Sequence, residues 1–269
     1  MAEKIKIETV RTSAFSMEYF RFGQGKNVMV ILPGLSVDSV MKYADGVAEA
    51  YSVLTNDFTV YLFDRRKELP ESYSISDMAR DTVLAIRELG LTDIFLFGAS
   101  QGGMIAMTIA IEEPDLVRKL VLGSTAARVE RKKSGAVENW IRLSKEGKTE
   151  ELYLAFGEAI YPPEVFSSAK EMLIAGAKGI TEEDLFRFGI LADAVKGFDV
   201  TEKLSSIQCP VLILGSKDDR VLGPETSEEI YEYLKERKDC ELYMYDGYGH
   251  AAYDMAPDYK ERLLRFFTA

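Results

Sequence analysis

The chain is most tightly constrained at Ile94-Phe-Leu-Phe-Gly98-Ala99-Ser100-Gln101-Gly102-Gly103, where an apolar run gives way within three residues to a helical pattern. Ile94 to Phe97 has no polar residue, which predicts a short central strand covered on both faces. Gln101 to Ile111 predicts a helix stopped by Pro114. Joining the two so abruptly forces Ser100 into a strained turn that lifts its hydroxyl above the sheet and crowds the residues two positions to either side. Gly98 and Gly102 relieve that crowding. The G-x-S-x-G pattern is weakly specific by itself; its strand-turn-helix setting gives it force.

The rest of the chain repeats this alternation. Lys4 to Val10 and Phe15 to Phe22 read as a hairpin, and Val28 to Leu32 as a buried strand after the Gly23-Gln24-Gly25 turn. Ser39 to Ala50 reads as a helix and Phe58 to Phe63 as a strand. A helix over Ser76 to Leu89 follows, capped by Ser76 and stopped at Gly90, and then a strand over Lys119 to Leu122. From Ala126 to Val200 strand signals stop, and helix-like stretches carry Trp140, Tyr153, Phe156, Phe166, Met172, Leu173, Phe186 and Phe188. Alternation resumes with a strand at Val211 to Leu214, a helix at Glu225 to Lys235, a strand at Glu241 to Tyr245 and a last helix from Asp254 to Phe267. The expectation is an α/β fold with a mostly parallel, eight-stranded sheet flanked by helices. Its core comprises residues 1–125 and 201–269, and residues 126–200 form a helical insertion between strands six and seven.

Composition narrows the function. With 269 residues and 47% hydrophobic side chains the chain can fill one large core. Its net charge of −11 opposes nucleic acid and anionic membrane surfaces as partners. The N-terminal residues lack an apolar signal segment and no stretch approaches a membrane span, so a cytoplasmic protein is expected. Cys209 and Cys240, each expected near the start of a strand, read as buried thiols. A single histidine excludes a multi-histidine metal centre within one chain.

A serine hydroxyl needs a base to take its proton. The one histidine, His250, follows the last strand in Tyr245-Asp-Gly-Tyr-Gly249-His250. A carboxylate that fixes the imidazole tautomer is the third requirement. Asp218 and Asp219 both lie just beyond the Val211 strand, and the residues alone leave the choice between them open. A donor for a developing oxyanion is the backbone N–H of Gln101 at the start of its helix.

Taken together, these features resemble the α/β-hydrolase fold superfamily, in its cap-bearing, esterase-like branch. The resemblance rests on the turn at Ser100, the Ser…Asp…His order, the glycine-histidine after the last strand and the insertion. Aligning Val211 to Glu225 with the family's G-x-D-D-P-x-V-P run implies Asp219 as the catalytic acid, with Asp218 beside it. The family also implies a second oxyanion donor in Leu32-Pro33-Gly34-Leu35-Ser36, the backbone N–H of Leu35. Two departures stand out. Pro33-Gly34 replaces a frequent His-Gly pair, and Asp64-Arg65-Arg66-Lys67 replaces the usual D-x-R-G-x-G-x-S run. The basic cluster reads as a solvated charge run, with contact to an anionic substrate as the alternative.

The resulting expectation is a serine hydrolase cleaving a small or medium ester or related acyl substrate through an acyl-enzyme on Ser100, with no cofactor and no metal. The substrate is expected to carry an apolar acyl or alcohol part, and the insertion's aromatic residues either line that pocket or pack the insertion onto the core. Serine at the turn argues against relatives that attack with a carboxylate. The alternatives are carbon–carbon hydrolysis, lyase, acyltransferase or perhydrolase chemistry on the same triad, and a non-catalytic ligand-binding protein.

Overall fold

Eight strands form one sheet in the computed structural model, which describes residues 4–130 and 135–269. They are β1 (Ile7–Arg11), β2 (Ser16–Phe22), β3 (Asn27–Leu32), β4 (Phe58–Arg66), β5 (Ile94–Ala99), β6 (Val117–Gly123), β7 (Val211–Ser216) and β8 (Cys240–Tyr245). Their spatial order is β1-β2-β4-β3-β5-β6-β7-β8. β1 pairs with β2 and β2 with β4 in antiparallel fashion, and every later pair is parallel. The parallel strands therefore all end at one edge of the sheet. There the connecting loops converge, as ligand-binding loops do in open α/β sheets.

β5 and β7 are buried at every residue, which explains their uninterrupted apolar runs. The two-residue period of a strand sends Leu96, Leu120 and Ile213 to one face and Phe95, Phe97, Val121, Leu212 and Leu214 to the other. The first face packs against α2 (Ile75–Glu88), α3 (Gln101–Glu112) and α8 (Glu225–Leu234). The second packs against α1 (Ala44–Ala50) and α10 (Tyr259–Thr268), with Phe95 edge-on to Phe267 at 5.3 Å. Each such side chain contributes on the order of 1.5–3 kcal/mol by leaving water.

Several boundaries differ from the sequence reading, each for a local reason. β4 runs past Phe63 to Arg66 because β2 supplies an antiparallel ladder, pairing Met17 with Arg66. The helix expected to be capped by Ser76 is capped by Ser74 instead. Ser74 accepts from the Asp77 N–H and Asp77 reaches back to the Ser74 N–H, a reciprocal capping box. Ser39 to Ala50 splits into a 3-10 turn over Val40–Tyr43 and α1. The last expected helix is broken into α9 (Ala252–Met255) and α10, separated at Pro257, which lacks an N–H to continue the ladder. Cys240 opens β8 and Cys209 lies two residues ahead of β7; both are buried free thiols, pushed up to about 11 chiefly by burial.

Between β6 and β7 the described residues contain no strand and four α-helices, α4 (Gly135–Lys145), α5 (Thr149–Ile160), α6 (Pro163–Ala177) and α7 (Glu182–Asp193), followed by a 3-10 helix over Thr201–Ser206. The chain leaves and returns through one hydrogen-bonded neck, with Val129 N–H donating to Phe198 O at 2.8 Å and Val200 N–H to Ala127 O at 2.9 Å. Two parts of the sequence reading, at 1–3 and 131–134, lie outside the described residues. No helix among the described residues is long and apolar enough to cross a membrane.

The turn geometry makes the two glycine classes separable. A Cβ on Gly102 would lie 2.0 Å from the Leu32 carbonyl oxygen, whereas one on Gly46, inside α1, would meet nothing within 4 Å. Gly102→Ala should lower the unfolding free energy by about 3 kcal/mol through overpacking against backbone. Gly46→Ala should raise it by about 0.5–1 kcal/mol through helix propensity. Urea midpoints at constant m-value check both, and equal shifts would contradict the assignment of Gly102 to a close backbone crossing.

Candidate active site

Ser100 joins β5 to α3 at φ +52° and ψ −121°, a conformation that L-residues avoid. The turn is locked from both sides. The Ser100 N–H donates to Gly123 O at 2.8 Å, and the Thr125 hydroxyl donates to Ser100 O at 2.7 Å. A Cβ on Gly98 would stand 2.3 Å from Gly102 O, so both expected glycines are needed for the chain to pass itself. The sequence reading did not use a third glycine. A Cβ on Gly103 would fall 2.6 Å from the Thr125 side chain, so its absence is what lets Thr125 approach Ser100. The run of two glycines after Gln101 was the available signal.

His250 follows β8 through a loop turned at Gly247 and Gly249, both at positive φ. The residue is 1% exposed. Nε2 lies 2.9 Å from Ser100 Oγ and Nδ1 lies 2.8 Å from Asp219 Oδ2. Asp219 Oδ1 accepts from the N–H groups of Val221 at 2.8 Å and Leu222 at 3.0 Å. Burial alone would raise the Asp219 carboxyl; the neighbouring His250 and the hydrogen bonds outweigh it, and the net direction is downward. An ionised Asp219 can only accept, so Nδ1 carries the proton and Nε2 presents a lone pair to the Ser100 hydroxyl.

The two aspartates thus have separate partners. Asp218 accepts from the Gly249 N–H at 2.8 Å and from the Ser216 hydroxyl at 2.8 Å, holding the loop that carries His250. Neither is a loose surface carboxylate.

Beside Ser100 runs the loop after β3. A Cβ on Gly34 would sit 3.2 Å from Ser100 Cβ, so the Pro33-Gly34-Leu35 backbone lies directly against the serine. Among the described residues, neither the Leu35 nor the Gln101 backbone N–H has a protein acceptor. The charge cluster at the end of β4 differs from its sequence reading. Arg65 is 4% exposed, not solvated, and donates through Nη2 to Pro33 O at 2.8 Å and Gln101 Oε1 at 3.1 Å. Burial pulls its guanidinium down to about 10, opposed by Asp64 and Tyr73. Arg66 pairs with Asp81 at 3.4 Å and Lys67 with Glu18 at 2.5 Å. The strand extension that the sequence did not reveal is what turns Arg65 inward.

A cavity of about 450 Å³ opens next to this loop and Ala99, lined mainly by apolar and aromatic groups including Leu35, Val37, Tyr153, Phe156, Ile160 and Leu173. Asp38 and Asp254 also line it, and enclosure raises the Asp254 carboxyl against the opposing effects of Lys260 and His250. The insertion's aromatic residues divide between the two roles open to them. Tyr153 and Phe156 face the cavity, Trp140 packs on Phe156 with centroids 4.5 Å apart, Phe188 is buried, and Met172 and Phe186 are exposed.

The sheet, the loops converging on its carboxyl edge and the serine-histidine-aspartate line define an α/β-hydrolase. The family model described as serine aminopeptidase, S33 (Hydrolase_4) matches residues 23–254, and the chain belongs to that hydrolase family. A protein named "Putative carbamate hydrolase RutD" from Rhizobium rhizogenes is 26% identical over 231 residues, covering 82% of this chain and 87% of its own. The crystal structure of MGS-M2, an α/β-hydrolase enzyme from a Medee basin deep-sea metagenome library, superposes with a TM-score of 0.85 at 22% identity, covering 97% of this chain and 98% of its own. The enol-lactonase from Burkholderia xenovorans LB400 superposes with a TM-score of 0.82 at 16% identity, covering 97% and 100%.

The Asp219 environment sets a pH dependence of stability. Its folded carboxyl titrates below its unfolded one, so between the two values the unfolded chain binds more protons. This contribution is complete above the ordinary carboxyl value of about 3.9 and is lost as pH falls through the lower, folded value. Asp219→Asn should flatten the dependence of unfolding free energy on pH below about 4 relative to wild type. Urea titrations from pH 5 downward check this; parallel curves would mean the carboxyl is not held in its ionised form.

Proposed function

We propose that the protein is a serine hydrolase that cleaves a small or medium ester or related acyl substrate through an acyl-enzyme on Ser100. The observation that carries this reading is the unbroken line from Ser100 Oγ to His250 Nε2 at 2.9 Å and from His250 Nδ1 to Asp219 Oδ2 at 2.8 Å, on a serine held at φ +52°. Ser100 Oγ attacks the substrate carbonyl carbon while its proton passes to His250 Nε2. Asp219 stabilises the resulting imidazolium and keeps its orientation. The carbonyl oxygen, now negative, lies between the backbone N–H groups of Leu35 and Gln101, the latter at the positive end of α3. The tetrahedral intermediate collapses, His250 returns its proton to the leaving group, and a water deprotonated by the same nitrogen releases the acid.

Helices α4–α7 act in this scheme as a cap, residues 126–200, over the carboxyl edge of the sheet. The cavity that Tyr153, Phe156 and Leu173 line takes the apolar acyl or alcohol part. The carbamate in the name of the Rhizobium rhizogenes relative is in the same reactive class, a carbonyl bearing a heteroatom leaving group, and belongs in the substrate panel.

A fluorophosphonate should label the wild type with one equivalent by intact mass, and Ser100→Ala should take no label. Nitrophenyl esters of two- to eight-carbon acids and a nitrophenyl carbamate should be turned over by wild type, with kcat reduced by about five to six orders of magnitude in Ser100→Ala or His250→Ala. Asp219→Asn should lose about four orders through the wrong tautomer. Labelling without turnover of any panel member would replace acyl hydrolysis by another reaction of the same serine. Absence of labelling would overturn the activated serine itself.

A further inference from the structure

Arg65 is a buried guanidinium with no carboxylate within ion-pair distance among the described residues, and its Nε has no hydrogen-bond partner. Such a group is costly to bury, so the bonds it does make have to matter to the structure or to the site. Both go to the same place from opposite sides. One Nη2 bond, at 2.8 Å, holds the Pro33 carbonyl, in the peptide that leads through Gly34 to the Leu35 N–H. The other, at 3.1 Å, holds Oε1 of Gln101, whose own N–H opens α3. Gln101 is fixed again by its Nε2, which donates to Leu191 O in α7 at 2.6 Å.

The two N–H groups sit on separate segments, one following β3 and one following β5. Convergence on a single oxygen requires that those segments keep their spacing. We propose that Arg65 is a positioning residue for acyl transfer: it clamps the Pro33-Gly34 peptide to Gln101 so that the Leu35 and Gln101 N–H groups converge on the oxygen that becomes negative. This rests on the acyl-transfer reading above. Arg65 does not touch the substrate; it acts through the two backbone donors, and its effect belongs to the transition state rather than to substrate binding.

The test compares Arg65→Met, which keeps the side-chain length and removes every donor, with Arg65→Lys, whose ammonium has a single donor centre in place of the guanidinium fork. Steady-state kinetics on a nitrophenyl ester are read together with affinity for a trifluoromethyl ketone, which adds Ser100 to form a tetrahedral oxyanion. Arg65→Met should lower kcat by about 10- to 100-fold with KM changed by less than about twofold, and should weaken the ketone by a factor similar to the kcat loss. Arg65→Lys should recover part of both. A folded Arg65→Met with kcat and ketone affinity within about twofold of wild type overturns the proposal, whatever its melting temperature.

Should Arg65→Met fail to fold, Gln101→Met removes the other half of the clamp while retaining the backbone N–H. The same paired loss supports the proposal, and unchanged values overturn it. Ser100→Ala separates the two levels. Residual hydrolysis in that variant brings down the acyl-transfer reading and this proposal with it, whereas an inactive Ser100→Ala beside a fully active Arg65→Met brings down the clamp alone.

Discussion

The geometry of the carboxyl edge depends on one strained residue. Ser100 must end a strand buried at every position and begin a helix in the same step, and it does so at φ +52°. That conformation costs on the order of 1–3 kcal/mol and persists only if its surroundings over-determine it. Here they do. The Leu32 and Pro33 carbonyls close on Gly102, Thr125 closes on Gly103, and Gly123 accepts from the Ser100 N–H. These contacts come from the ends of β3 and β6, the two neighbours of β5 in the sheet. Sheet order and site geometry are therefore one constraint: strands that did not flank β5 could not supply the partners that hold the serine.

The histidine side of the site follows a similar logic with charge in place of sterics. A histidine that is 1% exposed cannot rely on water to choose its tautomer or to balance a positive form. Asp219 Oδ2, 2.8 Å from Nδ1, supplies the acceptor that water would otherwise provide, and its own charge is held by two backbone N–H groups of the loop after β7. Asp218, one residue earlier, points to the Gly249 N–H and anchors the loop that delivers His250. Adjacent carboxylates on β7's exit thus serve the ring and the ring's backbone separately, which explains why a two-aspartate run is useful there.

How far the sequence reveals this differs from feature to feature. Apolar runs such as Ile94 to Phe97 and Val211 to Leu214 name their strands because burial on both faces leaves no place for a polar residue. Ser100, His250 and the glycines are legible because their roles need particular residue types at fixed offsets from strand ends. The choice between Asp218 and Asp219 is not legible from residue type, since either can accept a hydrogen bond; only the direction in which the backbone presents each one decides it. Arg65 misleads for a related reason. A basic triplet reads as solvent-facing, yet the pairing of β2 with β4 carries the strand through Arg66 and turns Arg65 into the interior. Long-range pairing, not local composition, determined that burial. Ser74 and Ser76 differ only in which has an acidic residue three positions on, and Asp77 selects Ser74.

The same long-range contacts tie the helical excursion to the serine. Gln101 stands at the start of α3, and its amide donates to Leu191 in α7. Arg187, one turn earlier on α7, reaches back across the end of β4, donating to the Arg66 carbonyl at 2.6 Å and the Arg65 carbonyl at 3.1 Å. Helix α7 thereby grips both residues of the Arg65–Gln101 contact, one through its backbone and the other through its side chain. A helical insertion joined to the sheet only through its neck could shift without disturbing the serine. One fastened at Gln101 cannot move at α7 without breaking the hydrogen bond to the residue that follows Ser100. The end of α5 is fastened as well, with the Ala251 N–H, next in sequence to His250, donating to Ile160 O at 3.3 Å.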